Sequence, residues 1–270
     1  MPELPEVEVC RQGIYPHVHN QVVSNVIVRN RKMRWPISDN INELIGLTIE
    51  SVERRAKYLL LKTNQGCLVL HLGMSGTIRV IPKNTPIAKH DHFDLVLQSG
   101  QALRLNDPRR FGAVLWVTDN IDEHPLLSKL GPEPLLDDFQ HGYLFEKSRK
   151  KTVPIKTFIM NNNIVVGVGN IYANESLFQA GIAPTVAAGK VSKKRYDALT
   201  DIIKDVLAKA IKQGGTTLKD FTQADGRPGY FAQSLQVYGR GGEKCVTCDS
   251  ILKEIKQGGR ATVFCSNCQR

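Results

Sequence analysis

Hydrophobic and polar positions follow two different periods along this chain. From about residue 20 to 119, the stretches 22–30, 48–63, 67–81, 93–105 and 111–117 are rich in β-branched and aliphatic residues. Turn formers separate them: Asn64-Gln65-Gly66, Gly73, Gly76, Ser99-Gly100 and Asp107-Pro108. Ser99-Gly100, between two alternating runs, predicts a hairpin. Strands that follow one another without helices between them favour an antiparallel sandwich or barrel. A helix precedes them, starting near Pro5 and ending by Pro16. After Asp119 the pattern loosens into a Pro-, Gly- and acid-rich linker with a short helical turn. From Pro154 it becomes helical. One helix runs over 171–180 and ends at Gly181. Another, capped by Ser192, carries Tyr196, Leu199, Ile203, Val206, Ala210 and Ile211 at spacings of three and four and stops at Gly214-Gly215. Residues 216–229 read as an ordered but mobile loop, and the last thirty as a Cys-bounded hairpin.

These segments predict a multi-domain α+β chain. An N-terminal antiparallel β-sandwich with a leading helix occupies 1–120, a linker 121–153, a helical domain 154–232 and a hairpin unit 233–270. Apolar residues make up 41% and charged residues 23%, so the chain is globular and has no need of disulfide staples. The net charge of +10 favours a polyanionic partner, nucleic acid first and an anionic membrane second. No run of 18 apolar residues occurs, which excludes a transmembrane helix. The acidic, Pro-rich start lacks the features of a signal peptide, so the expected compartment is the cytoplasm, where thiols stay reduced.

Six cysteines are then candidates for metal or core roles. Cys10 and Cys67 stand alone in apolar segments and read as small core hydrophobes. Cys245-x₂-Cys248 and Cys265-x₂-Cys268 can close a tetrahedral site for one structural Zn²⁺, a redox pair being the weaker alternative. The arm between the pairs reads as strand, Gly258-Gly259 turn, strand. It puts Arg260 at the tip of a metal-stapled finger suited to DNA. Residues 167–170 open a helix with two glycines, but Tyr172 stands where a dinucleotide fingerprint needs a third. Their N–H groups, with Asn170, can hold a phosphate or simply cap the helix.

Most basic clusters read as solvated faces. Two do not. Lys57, at the entrance to an apolar run, should be partly buried, and Asp107-Pro108-Arg109-Arg110-Phe111 puts two guanidiniums and an aromatic on a loop tip. Removal of Met1 would leave Pro2 with a secondary amine. An α-amino pKa near 8 keeps a useful fraction of it neutral and nucleophilic at an aldehyde-level sugar carbon. Glu3 and Glu6 supply carboxylates for acid/base work.

Several motifs together resemble bacterial formamidopyrimidine-DNA glycosylases over essentially the whole chain. They are Pro2-Glu3-Leu4-Pro5-Glu6-Val7-Glu8, Arg54-Arg55-Ala56-Lys57-Tyr58-Leu59, His71-Leu72-Gly73-Met74-Ser75-Gly76, Asp107-Pro108-Arg109-Arg110-Phe111-Gly112 and Val166-Gly167-Val168-Gly169-Asn170-Ile171-Tyr172. Thr216-Thr217-Leu218-Lys219-Asp220-Phe221 and Tyr238-Gly239-Arg240 follow in the family's order. The resemblance implies a monomeric base-excision enzyme that removes oxidised purines from double-stranded DNA and nicks the strand by β,δ-elimination, also at abasic sites. It implies a β-sandwich, a helix–two-turn–helix domain and a zinc finger. Pro2 is the implied nucleophile, Glu3 the acid/base, Lys57 a second proton donor and Arg260 the grip on phosphates beside the extruded nucleotide. Lys156, Asn170, His71 and Tyr238 are implied backbone contacts. His90 and Lys151 match DNA-binding positions, and Met74, Arg109 and Phe111 are implied to fill the vacated space. Residues 216–229 would close over the lesion. Of the alternatives, endonuclease VIII begins with Gly where Leu4 stands, and a zinc-ribbon or RNA-binding protein without catalysis needs neither a free proline amine nor a buried lysine.

Overall fold

The computed structural model describes residues 2–216 and 230–270, which divide into two compact units. One gathers Met1–Ser128 with Gln213–Ala232, and the other Lys129–Lys212 with Gln233–Arg270. The expected lesion loop, 216–229, lies outside the described residues except for Thr216. The segment after Gly214-Gly215 clusters with the first unit, whereas the sequence groups it with the helices. Its ends are tied there: Thr216 N–H donates to Glu6 at 2.9 Å and Phe231 N–H to the Gly215 carbonyl at 3.1 Å.

The first unit opens with helix α1, Leu4–Val18. Glu3 is its N-cap in a reciprocal capping box with Glu6, and Pro5 occupies the first turn, where its missing N–H costs nothing. The helix does not stop at Pro16 as expected. Proline removes one bond in the final turn, but His19 N–H still reaches the Tyr15 carbonyl at 3.0 Å. Leu4, Val7, Cys10, Ile14 and Val18 form its buried face, each worth roughly 1.5–3 kcal/mol when fully buried.

Eight strands follow: β1 Val23–Val28, β2 Ser51–Arg55, β3 Tyr58–Lys62, β4 Cys67–His71, β5 Thr77–Pro82, β6 Asp91–Leu97, β7 Gln101–Asn106 and β8 Ala113–Val117. They form two antiparallel sheets, β1-β6-β7-β5 and β2-β3-β4-β8. Their inner faces share one core with α1 that includes Val26, Leu59, Leu70, Phe93, Leu103 and Trp116. The antiparallel sandwich and the Ser99-Gly100 hairpin appear as the pattern predicts. Cys10 and Cys67 are core residues, and burial pushes both thiols up to about 12.

Residues 48–63, which read as one strand-rich stretch, fold as a hairpin between β2 and β3. Its tip is Ala56-Lys57, with no Gly, Asn or Asp to announce it. Ala56 adopts φ 53°, a left-handed conformation held by the surrounding pairing.

A buried ionic network braces the other sheet. Arg104, 1% exposed, donates to Asp94 and to the Thr85 and Pro86 carbonyls, while Asp91 accepts from Ala88 N–H and Asn106. Burial alone would raise the Asp94 carboxyl, but Arg29 and Arg104 hold it below the usual range. The network fixes the 83–90 connection, which ends in His90.

In the second unit, α2 Tyr143–Ser148 falls inside the expected linker, too short to show a period. Arg149 stacks 3.8 Å from the Phe145 ring centroid, and Gly142 N–H donates to Asp197, anchoring it. The others are α3 Ile155–Ile159, α4 Asn170–Gln179 and α5 Lys193–Lys212. On α5 the expected apolar face is buried except Ile211, which is half-buried; Leu207 is buried as well. The chain ends in a hairpin, β9 Lys253–Gln257 and β10 Arg260–Phe264. Among the described residues, no helix is long and apolar enough to cross a membrane.

Candidate active site and nucleic-acid interface

The first unit assembles its candidate residues at one end of the β2-β3-β4-β8 sheet. Helix α1 runs antiparallel to β2. Arg11 donates to the Val52 carbonyl at 3.2 Å, and Glu8 accepts from Arg54 at 3.1 Å. Continuing in that direction, the helix start with Pro2 and Glu3 falls at the β2–β3 hairpin tip, where Lys57 sits half-buried. Pro2 and Glu3 are buried, Glu3 only 2% exposed.

Glu6 is fully buried and joins two parts of this end. Its Oε2 accepts the Glu3 N–H at 2.8 Å and its Oε1 the Thr216 N–H at 2.9 Å. Gly215 takes φ 78°, and a Cβ there would lie 3.2 Å from Glu6 Oε1. Glu6 therefore holds the catalytic-residue candidates and the residue that leads into 217–229. The sequence offered it only as a carboxylate for acid/base work.

Strand pairing places His71 opposite Tyr58, their ring centroids 4.8 Å apart. The chain leaves β4 into the 72–76 loop, which carries half-buried Met74. That loop lies backbone to backbone on 107–112. A Cβ on Gly73 would come within 2.4 Å of the Phe111 carbonyl carbon, and one on Gly112 within 2.6 Å of the His71 oxygen. This contact requires both glycines.

Asp107, completely buried, laces the loops together. Its Oδ1 accepts from the Ser75 hydroxyl at 3.0 Å, and its Oδ2 from the Gly112 N–H at 2.8 Å. The Ser75 oxygen accepts the Arg109 N–H at 3.3 Å. Asp107 N–H donates to the His90 carbonyl at 3.0 Å, bringing His90 to the same end. Arg109 is exposed and lies 5.0 Å over the Phe111 ring. Beside it Lys32, Met33, Arg34, Arg110 and Phe111 line an open bowl of about 630 Å³, four of whose six lining residues are cations. The sequence showed these charges but not that the 31–35 turn folds against the Arg109 loop, where Arg34 N–H donates to the Arg110 carbonyl at 2.8 Å.

In the second unit, Asn170 is the first residue of α4, after N-cap Gly169. Its side chain donates to the Ala261 carbonyl at 3.1 Å. Lys156, a candidate backbone contact, is enclosed by the elements around Asn170. It is 2% exposed, and its ammonium donates to Asn170 Oδ1 at 2.6 Å, Thr262 Oγ1 at 2.7 Å and the Ala261 carbonyl at 3.0 Å. It ties α3 and α4 to the terminal hairpin. Arg260 begins β10 directly after Gly258-Gly259, at φ 56° and 76°, and is exposed. Lys151 is exposed too; with Arg260, Phe158, Met160 and Gln257 it lines a cleft of about 520 Å³.

The backbone N–H groups of Gln236, Val237 and Tyr238 all donate to Glu175, at 2.8–3.0 Å. Glu175 is 1% exposed and sets the Tyr238 backbone. A carboxylate buried on a helix gives no sequence signal of such a task.

Cys245, Cys248, Cys265 and Cys268 bring their four sulfurs within 4.8 Å of one another. Cys248–Cys265 and Cys245–Cys268 sulfurs are 3.5 and 4.0 Å apart, against about 3.8 Å for a tetrahedron of 2.3 Å Zn–S bonds. Thr247 and Cys268 N–H groups point at Cys245 and Cys265 sulfurs, which suits thiolates bound to a metal.

Comparisons with known proteins agree over the whole length. Residues 1–114 match the formamidopyrimidine-DNA glycosylase N-terminal domain, 130–222 the formamidopyrimidine-DNA glycosylase H2TH domain, and 242–270 the zinc finger found in FPG and IleRS. The formamidopyrimidine-DNA glycosylase of Colwellia psychrerythraea is 67% identical, with all of both chains covered, and that of Idiomarina loihiensis 58%, likewise in full. A Lactococcus lactis FPG variant solved with Fapy-dG DNA has a TM-score of 0.93 and 34% identity, covering all of both chains. L. lactis Fpg solved with abasic-site DNA has a TM-score of 0.91 at 34% identity, covering 99% of each.

Proposed function

We propose, from the premise that the chain belongs to the formamidopyrimidine-DNA glycosylase family, a division of labour among the residues described above. The protein is a base-excision repair enzyme, a DNA glycosylase and abasic-site lyase acting on double-stranded DNA with oxidised purines, and it carries one structural Zn²⁺ on its four clustered cysteines. Its place is the bacterial cytoplasm, on the nucleoid. The observation that carries the assignment of roles is the meeting of the α1 start, the Lys57 hairpin tip, His71 and the Arg109 loop at one end of the sandwich.

The target nucleotide must leave the stack before its C1′ can be reached. Glu3 delivers a proton to the sugar ring oxygen, and the ring opens as the neutral Pro2 nitrogen, freed by loss of Met1, bonds to C1′. The bond to the damaged base then breaks, the base leaving with the proton that the Pro2 nitrogen gives up, and an iminium links Pro2 to C1′. Loss of a C2′ proton then expels the 3′ phosphate, and a second elimination expels the 5′ phosphate. Lys57 supplies protons from the hairpin tip.

Arg260 holds the phosphates beside the extruded nucleotide, with Asn170, Tyr238, His71, His90 and Lys151 along the backbone. Lys156 works at one remove, by positioning Asn170 and the finger hairpin. Met74, Arg109 and Phe111 enter the vacated space. Once its partner has left, cytosine presents O2 and N3 as neighbouring acceptors to the guanidinium, which has donors only. Adenine presents an acceptor beside a donor, so one of the two contacts turns unfavourable. A good paired contact discriminates by about 1–3 kcal/mol. Excision of 8-oxoguanine opposite cytosine is therefore expected to be at least roughly tenfold faster than opposite adenine. Arg109→Ala should slow excision and compress that ratio, with Zn²⁺ content unchanged. Single-turnover rates on both duplexes decide it, and an unchanged ratio removes Arg109 from the reading role.

A further inference from the structure

The imidazole of His71 is held in one tautomer by a backbone contact. Its Nδ1 lies 3.1 Å from the Gly73 N–H, which donates to it, and a ring nitrogen that accepts carries no proton. The N–H cannot swing aside. Gly73 takes φ 63° and is pressed on the backbone of residues 111–112, so the contact between the two loops also aims this bond. A proton on Nδ1 would face another N–H and break the arrangement.

The surroundings work in the same direction. Tyr58, from β3, covers the ring. Lys57 from the hairpin tip and Arg34 from the 31–35 turn bring positive charge, and Asp107 from the neighbouring loop brings the opposing negative one. The Asp107 carboxylate is already engaged by Ser75 and Gly112. Burial, reinforced by Lys57 and Arg34, pushes the imidazolium down to about 4, with Asp107 in partial opposition.

We propose that His71 meets the DNA backbone as a neutral donor through Nε2–H, and not as a cation. This rests on the reading of His71 as a backbone contact. Two consequences follow. The contact adds a hydrogen bond without releasing a counterion, so it contributes nothing to the salt dependence of binding. It also places no second cation beside Lys57, the residue assigned a proton-donating role. The depressed folded-state value has a stability counterpart. Below about 6.5 the unfolded chain takes up the proton first, so this stabilisation is complete above that pH and is lost as pH falls toward 4.

The experiment has two arms. Side-chain ¹⁵N NMR of the free, zinc-loaded protein from about pH 5.5 to 8 should show His71 with a bare Nδ1, a protonated Nε2 and no titration. An imidazolium pattern near pH 6, or a proton on Nδ1, overturns the proposal. In the second arm, His71→Leu should weaken binding to abasic-analogue DNA about tenfold at each salt concentration, since one hydrogen bond is lost. The slope of log K against log salt should not change. His71→Gln, which returns an N–H donor, should recover most of the affinity. A slope reduced by about 0.9 would mean that a cation had been removed and overturns the proposal. The proposed tautomer together with wild-type affinity in His71→Leu would instead refute the DNA contact itself.

Discussion

Glu3→Gln should slow excision of 8-oxoguanine by roughly a thousandfold, within the 10²–10⁴ range of a positioned acid/base, and leave cutting of a preformed abasic site within about tenfold of wild type. The split follows from two separate tasks at the α1 start. Glu3 is the helix N-cap, its side chain accepting the Glu6 N–H, and its own N–H is held by Glu6. Glutamine keeps a carbonyl oxygen for the first of these bonds and the backbone N–H for the second, so the cap survives. What glutamine cannot do is hand over a proton. Breaking the bond to the base needs that step, because the ring oxygen must be protonated as the sugar opens. At an abasic site the aldehyde is already present, and the Pro2 amine can condense with it unaided. Single-turnover rates on the two substrates, with circular dichroism to verify folding, make the comparison. Equal loss of both activities would contradict the assignment.

Removing the zinc should abolish DNA cleavage, with a loss of at least roughly a hundredfold. The finger's core is small: Cys245, Leu252, Val263 and Cys265 are buried, packed with Phe178 of α4 and Val237. So little apolar surface cannot order a hairpin without the metal, whose binding supplies about 10–16 kcal/mol in comparable small units. Melting the hairpin releases Arg260 from its turn. It also takes away two acceptors of the Lys156 ammonium, the Ala261 carbonyl and Thr262. A hydrogen bond to a charged group contributes roughly 1.5–3 kcal/mol. The helical unit should therefore soften along with the finger. Cys248→Ser or prolonged chelation, followed by metal analysis and strand-cleavage assays, tests this. Wild-type protein should hold one equivalent of Zn²⁺. Full cleavage by metal-free protein would show that the finger is dispensable.

Chemistry concentrated in sequence was legible, and chemistry assembled by packing was not. The cysteine spacing read directly as a metal site, because ligands paired within one turn constrain geometry locally. The sandwich was legible because strand runs and their turn residues coincide at Ser99-Gly100. The Ala56-Lys57 hairpin was hidden. Its left-handed residue is an alanine, held there by ladder pairing on either side. Helix α2 was hidden by its six-residue length. Pro16 read as a stop because propensity ignores tertiary anchoring, yet Val18, fully buried, carries the helix past it.

At the site, Pro2, Glu3 and Lys57 could be picked out as residue types but not as neighbours. Their proximity comes from the Glu8–Arg54 ion pair that aligns α1 on β2. The structural tasks of Asp107, Glu6 and Glu175 escaped notice because their partners, the Ser75 hydroxyl and the N–H groups of Thr216 and Val237, lie far away in sequence. The surroundings of Lys156 were hidden, since nothing local announces that Asn170, Ala261 and Thr262 enclose it.

The Pro2 nitrogen, and no lysine, is expected to make the covalent link to DNA. Lys57 is the natural competitor, a primary amine at the same end of the sandwich. Incubating the protein with an 8-oxoguanine duplex in the presence of borohydride reduces the iminium to a stable amine. Peptide mass mapping then finds the attachment point. One adduct is expected, on an N-terminal peptide beginning at Pro2 with Met1 absent, with undiminished trapping on abasic DNA in Lys57→Met. An adduct mapped to Lys57 or to any other lysine would contradict this.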